Sequence, residues 1–161
     1  MRRTPMKDKL VYVAHPYGNL KDNKLKIDAI MEQLVFDDPT NVYVSPIHNY
    51  GFKYLEGDEY KKGIDVCLRL LGKCDALILA GDWKNSRGCN NEYVFAVENG
   101  IPIYTLKTWK MIVVDKVKNL DNELNERLDE AVEDIKEKGL VNVLNMFLGK
   151  AENREKELIK K

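Results

Sequence analysis

Residues 75–105 read DALILAGDWKNSRGCNNEYVFAVENGIPIYT, and the fold turns on this stretch. The run 76–80 is short, apolar and without helical period, which describes a buried strand, and Gly81 opens a polar loop that extends to Gly88. From about Cys89 the pattern is helical as far as Asn99, where Gly100 supplies a C-terminal glycine, and residues 101–106 give the next strand. Strands this uniformly apolar, separated by helices, belong to a parallel sheet covered on both faces.

The same alternation extends upstream. Residues 10–14 (LVYVA) form a short β-branched run that ends at His15-Pro16-Tyr17-Gly18-Asn19. Between 20 and 36, Ile27, Ile30, Met31, Leu34 and Val35 recur at helical spacing, and Asp37-Asp38-Pro39 ends the pattern. Residues 42–45 (VYVS) make a second strand. The segment 46–57, with His48, Asn49, Tyr50, Phe52 and Tyr54, reads as a loop that is either a lid or a subunit contact. A helix over about 59–73 places Ile64, Cys67, Leu68 and Leu71 on one stripe. The resulting order predicts an α/β fold, a single-domain flavodoxin- or Rossmann-like three-layer sandwich with a parallel sheet of four to five strands.

Downstream the chain is helical. Leu120, Leu124, Leu128, Val132 and Ile135 form a stripe that is core or interface, with acidic residues early and Lys136 and Lys138 late, and Gly139 breaks the helix. An apolar segment, 140–148, then needs something to bury against. We expect residues 1–110 to be the α/β core and 111–161 a helical C-terminal extension on that core or on a neighbouring subunit. A homo-oligomer is expected because segments 140–148 and 46–58 need partners.

Composition limits the function. With 161 residues and 44% hydrophobic content, one core can form without metals or disulfides. Lys plus Arg and Asp plus Glu both total 26, so no broad field favours a nucleic acid polymer or a membrane. Cys67, Cys74 and Cys89 lack a paired metal-binding spacing, and with no apolar run of membrane-spanning length a reduced, cytoplasmic, soluble protein is expected. No metal or other cofactor is implied, and His15 and His48 have no third ligand placed by spacing.

Loops after the first three strands should converge at their carboxyl ends. They offer Tyr12, His15, Pro16, Tyr17, His48, Asp82, Trp83, Ser86, Arg87 and Glu92. Ser86, Arg87 and Gly88 stand before a helix, whose free amides favour an anion such as phosphate. Glu92 is expected in the first turn of that helix, where the field favours an ionised carboxylate, although dipole complementarity alone also explains an acid there. Trp83 either covers the sheet edge or stacks on a base.

The strand DALIL followed by GDWKNSRGCNNEYVFAVENGIPI resembles the core motif of the nucleoside 2-deoxyribosyltransferase-like superfamily, especially a branch of short bacterial and phage proteins related to 2′-deoxynucleoside 5′-phosphate N-hydrolases. The opening strand Val11-Tyr12-Val13-Ala14-His15-Pro16 is also similar, and the likeness covers about 9–106. The resemblance implies a small-molecule nucleoside or nucleotide substrate and retaining chemistry, with Glu92 attacking the anomeric carbon and a second group assisting the leaving base. It also implies that Ser86, six residues before Glu92, helps to hold a 5′-phosphate, that Gly88 is the motif glycine, and that Tyr12 lies near the nucleophile. Cys67 occupies the position of an aspartate that assists the leaving base in the hydrolases, with Asp65 two residues away, and His15 replaces the glycine of the first turn. Asp82 and His15 are therefore the candidate acids. The alternative is a nucleotide-binding or sequestering protein without turnover.

Overall fold

A computed structural model describes residues 8–51 and 58–159. The sequence order is realised as β1 (Leu10–Ala14), α1 (Lys21–Asp37), β2 (Val42–Val44), α2 (Pro46–Tyr50), α3 (Asp58–Leu71), β3 (Ala76–Leu79), a 3₁₀ turn (Trp83–Asn85), α4 (Arg87–Glu98), β4 (Ile103–Thr105) and α5 (Leu106–Ile159). The chain divides into two units, Met1–Val113 and Val114–Lys161.

In the first unit the four strands lie in the order β2-β1-β3-β4, all parallel. Tyr12 sits at the centre of β1, opposite Val44 on one side and Leu77 on the other. Alternation along β1 divides the core into two layers, as the period of a strand requires. Val11 and Val13 pack with Ile27 and Leu34 of α1 and with Trp109 and Val113 of α5. Tyr12 and Ala14 face the other way, onto Leu71 and Cys74 and onto Cys89 and Ala96 of α4. The result is a Rossmann-like three-layer sandwich, as the sequence predicts.

Several boundaries differ from the sequence reading. Segment 46–57 does not begin as a loop: Pro46 starts the short helix α2, where a proline lacking its amide hydrogen costs nothing. Phe52 and Tyr54 lie outside the described residues. Val35 is 54% exposed, so only part of its predicted stripe is core. Asp38, which reads as a helix terminator, is buried and accepts hydrogen bonds from Thr40, Asn41 and Tyr43. The Tyr43 hydroxyl accepts in turn from Trp109 Nε1 at 2.9 Å, so a polar chain runs through the apolar layer and ties α1, β2 and α5 together.

The second unit is helical. Gly139, at φ 62° and ψ 145°, is not helical and divides α5, as its position in the sequence suggests. Leu120, Leu124, Leu128, Val132 and Ile135 are all exposed, and so are Leu144 and Leu148 in the later apolar segment. None of the described helices is long and apolar enough to cross a membrane.

Candidate functional site

The strand order reverses direction between β1 and β3, and the crevice at such a point is where parallel α/β sheets collect ligands. A cavity of about 630 Å³ lies there. The β1 loop contributes His15, Pro16, Tyr17 and Gly18, and the β3 loop contributes Gly81, Asp82 and Asn85. The start of α4 adds Ser86, Arg87, Gly88, Cys89 and Glu92. That size suits a small organic ligand.

Glu92 lies at the base of this cavity and is 4% exposed. Tyr12 donates its hydroxyl proton to Glu92 Oε1 at 2.5 Å, from the middle of β1 to a helix eighty residues later. The tyrosine is fully buried beneath the cavity. Burial, and then the charge of Glu92, hold its pKa well above the usual phenol range, so it remains a donor. Helix α4 begins at Arg87, with Ser86 as its N-cap, two residues before the predicted start at Cys89. Glu92 is consequently in the second turn, where the field of the helix end has weakened. Burial dominates instead and raises its pKa to about 7, with the Tyr12 hydrogen bond opposing the rise. Near neutrality the carboxyl is therefore poised between its two forms.

At the mouth of α4, Ser86 Oγ accepts from the Cys89 amide at 3.4 Å, an ordinary N-cap role that leaves its hydroxyl proton available to a ligand. Arg87 sets its guanidinium 4.7 Å from the centre of the Tyr60 ring, a cation–π contact that orients the charge. At Gly88 an added Cβ would come no closer than 3.6 Å to protein, so packing does not demand glycine there. Gly81 is different. Its φ is +62°, and a Cβ would lie 2.6 Å from His15 Nε2. His15 Nδ1 lies 2.7 Å from the Pro16 carbonyl oxygen, which only accepts, so Nδ1 carries the proton and Nε2 faces Gly81 as an acceptor. Burial lowers the His15 pKa, which keeps the ring neutral at pH 7 and better suited to accepting a hydrogen bond than to donating a proton.

Two thiols line the same wall. Burial and then Glu92 push Cys67 up to about 11 and Cys89 to about 12, so both are protonated near neutrality. Asp82 is exposed at the rim and accepts from Asn85 Nδ2 at 2.9 Å. Three of the sequence candidates lie outside the lining, Tyr12 beneath it and two others to the side. His48 Nε2 is 2.8 Å from Asp28 Oδ1 on α1, and Trp83 packs on Tyr93 with ring centres 5.4 Å apart. Lys26, Asn23 and Tyr60, which the sequence reading did not single out, do line it. Their approach depends on how α1 and α3 cross the sheet, and no local pattern in the sequence carries that information.

Residues 9–105 match the model of the domain of unknown function DUF4406. The chain belongs to the DUF4406 family. Comparison with curated proteins finds no match. The DUF4406 segment contains all four strands, α1 to α4 and every residue lining the cavity, and it ends where α5 begins. The cavity thus lies within the matched segment, and α5 lies outside it.

Proposed function

We propose that the chain cleaves or transfers the N-glycosidic bond of a nucleoside or nucleotide, with Glu92 as nucleophile. The supporting observation is the buried Glu92 carboxyl, held by Tyr12 at the base of a cavity whose rim carries Ser86, Arg87 and Gly88. The resemblance to nucleoside 2-deoxyribosyltransferase-like proteins agrees with that arrangement. In the reaction a Glu92 oxygen bonds to the anomeric carbon as the bond to the base breaks. The base departs with that electron pair and takes up a proton, and water or a second base then displaces the carboxylate. Tyr12 orients the carboxylate and lowers its proton affinity. The amides of Arg87 and Gly88, with the Ser86 hydroxyl, suit a 5′-phosphate. Asp82, exposed at the rim, serves the leaving base in this reading, and His15 Nε2 suits a donor on the ligand. The protein works as a cytoplasmic homo-oligomer in this reading.

Chromatography of deoxynucleosides and their 5′-monophosphates after incubation with the protein tests the proposal. Free or exchanged base is expected with wild type, and Glu92→Gln should reduce the rate on the order of 10³-fold or more. Full activity in that variant would sink the assignment.

A second reading, binding without turnover, is favoured by Cys67. Its thiol, pushed up to about 11, occupies the place of an assisting carboxylate and offers no comparable acceptor. Calorimetric titration with nucleotides separates the two readings: tight binding with no base release supports sequestration, and no binding by folded protein excludes both.

A further inference from the structure

The cavity has two walls of different chemistry. Helix α4 packs on the Tyr12 and Ala14 face of the sheet and brings Ser86, Arg87 and Glu92, whereas α1 packs on the Val11 and Val13 face and brings Asn23 and Lys26. In the proposed reaction the phosphate and the sugar take the first wall. The second wall, with the loop that follows β1, is left for the base.

Two polar groups on that side have no use within the protein. His15 is 6% exposed, and its accepting Nε2, which lies against Gly81, has no hydrogen-bond partner among the described residues. A buried acceptor beside a cavity is costly unless a ligand donates to it. Lys26 is its complement. No acidic side chain among the described residues pairs with its ammonium, although Lys24, two residues earlier, is taken up by Asp28. Both residues line the cavity, and the Lys26 charge is near enough to lower the His15 pKa in addition to the larger effect of burial.

The surroundings are pre-arranged. Asn23 Nδ2 and the Leu20 amide each donate to the Tyr17 carbonyl at 3.0 Å, which ties the start of α1 to the loop after β1. Tyr17 packs its ring on Gly51 at the end of α2, where an added Cβ would lie 3.5 Å from it, and Pro16, Ile47 and Tyr50 add apolar surface to the lining. A planar ring suits such walls.

An acceptor beside a cationic donor matches an edge that carries the reverse pair, a ring N–H beside a carbonyl oxygen. Uracil, thymine, hypoxanthine and guanine present this lactam edge. Cytosine and adenine present a bare ring nitrogen beside an amino group, which sets lone pair against lone pair at His15 and donor against donor at Lys26.

We propose that His15 and Lys26 select nucleotides whose base presents a lactam edge, His15 Nε2 accepting from the ring N–H and Lys26 Nζ donating to the carbonyl oxygen. This selectivity rests on the nucleotide reading of the site, and it concerns binding, whether or not the glycosidic bond is then broken.

Calorimetric titration of Glu92→Gln, which keeps the shape of the site and suppresses turnover, tests it with two matched pairs of 5′-monophosphates. Deoxyuridine is set against deoxycytidine and deoxyinosine against deoxyadenosine, each pair differing only at the edge in question. The lactam member should bind at least about tenfold more tightly in both pairs. Adding Lys26→Met, an exchange at an exposed position, should cut that ratio to about threefold or less, mainly by weakening the lactam member. His15→Gln, whose amide can turn to accept or donate, should level the ratio by improving the other members. Equal binding within either pair overturns the proposal, and so does a ratio that keeps its full size in Lys26→Met. Selective binding with no base released by wild-type protein upholds the selectivity and sinks the proposed reaction, whereas release of all four bases at equal rates does the reverse. No binding of any of the four by folded protein overturns both.

Discussion

The buried carboxyl of Glu92 gives the sharpest prediction, since it links stability to pH in a way one isosteric substitution isolates. Its pKa rises from an ordinary 4.5 to about 7 in the folded chain because of burial. A folded-state pKa above the unfolded one means that the folded protein holds the proton more tightly. The stabilising contribution is therefore complete below about pH 4.5 and is lost as pH rises through about 7, a swing of about 3 kcal/mol. Glu92→Gln removes the titration while keeping the shape and an acceptor for the Tyr12 hydroxyl. Urea unfolding of wild type and variant at pH values from 4.5 to 8.5, extrapolated to water, gives the difference between them at each pH. We expect the variant to gain about 3 kcal/mol on wild type between the ends of that range, most of it between pH 5 and 7.5. Titrations shared by both proteins, such as that of His15, cancel in the comparison. A difference that stays constant with pH would refute the claim that this carboxyl is desolvated. The kinetic counterpart is a limb in kcat/KM: for a nucleophile activity rises with pH through about 7, whereas a general acid would give a falling limb.

Other consequences are equally direct. Tyr12→Phe removes the donor that favours the ionised form, so the limb assigned to Glu92 should move to higher pH, with a stability loss of about 1–2 kcal/mol at pH 8 by urea unfolding. Gly81→Ala forces a side chain into the left-handed region and against His15, and should cost more than about 1 kcal/mol. Gly88→Ala has room in the protein and should leave the urea midpoint almost unchanged while weakening ligand binding, as measured by calorimetry. Trp109→Phe takes away the donor to Tyr43 and should lower stability by about 1–3 kcal/mol, whereas a loss below a few tenths would show that the polar chain through Asp38 contributes little.

The parallel sheet was legible because each strand is an apolar run bounded by turn residues, and alternation with helical periods leaves few other arrangements. The neighbourhood of Glu92 was legible only in part. Spacing brings Ser86, Gly88 and Glu92 together, but the sequence pattern starts α4 two residues late because Gly88 and Asn90 are poor helix formers and disguise the cap at Ser86. That small shift changes the physics, since it makes burial rather than the helix end the dominant influence on the carboxyl. The Tyr12 contact and the approach of Lys26 and Tyr60 are tertiary, and Asp38 shows an acidic residue entering the core on partners supplied by Thr40, Asn41 and Tyr43. Binary patterning assigns such a residue to the surface.

The attachment of Tyr12 to the centre of β1 has an engineering consequence. The group that holds the carboxyl belongs to an interior strand of the sheet, while Pro16, Tyr17, Gly18, Asp82 and Asn85 of the cavity lining belong to the segments that follow β1 and β3. Those segments should tolerate exchange between relatives, retuning which ligands enter, without displacing the pair beneath them. Libraries confined to residues 16–19 and 82–85 would search for new selectivity above a fixed Tyr12–Glu92 floor.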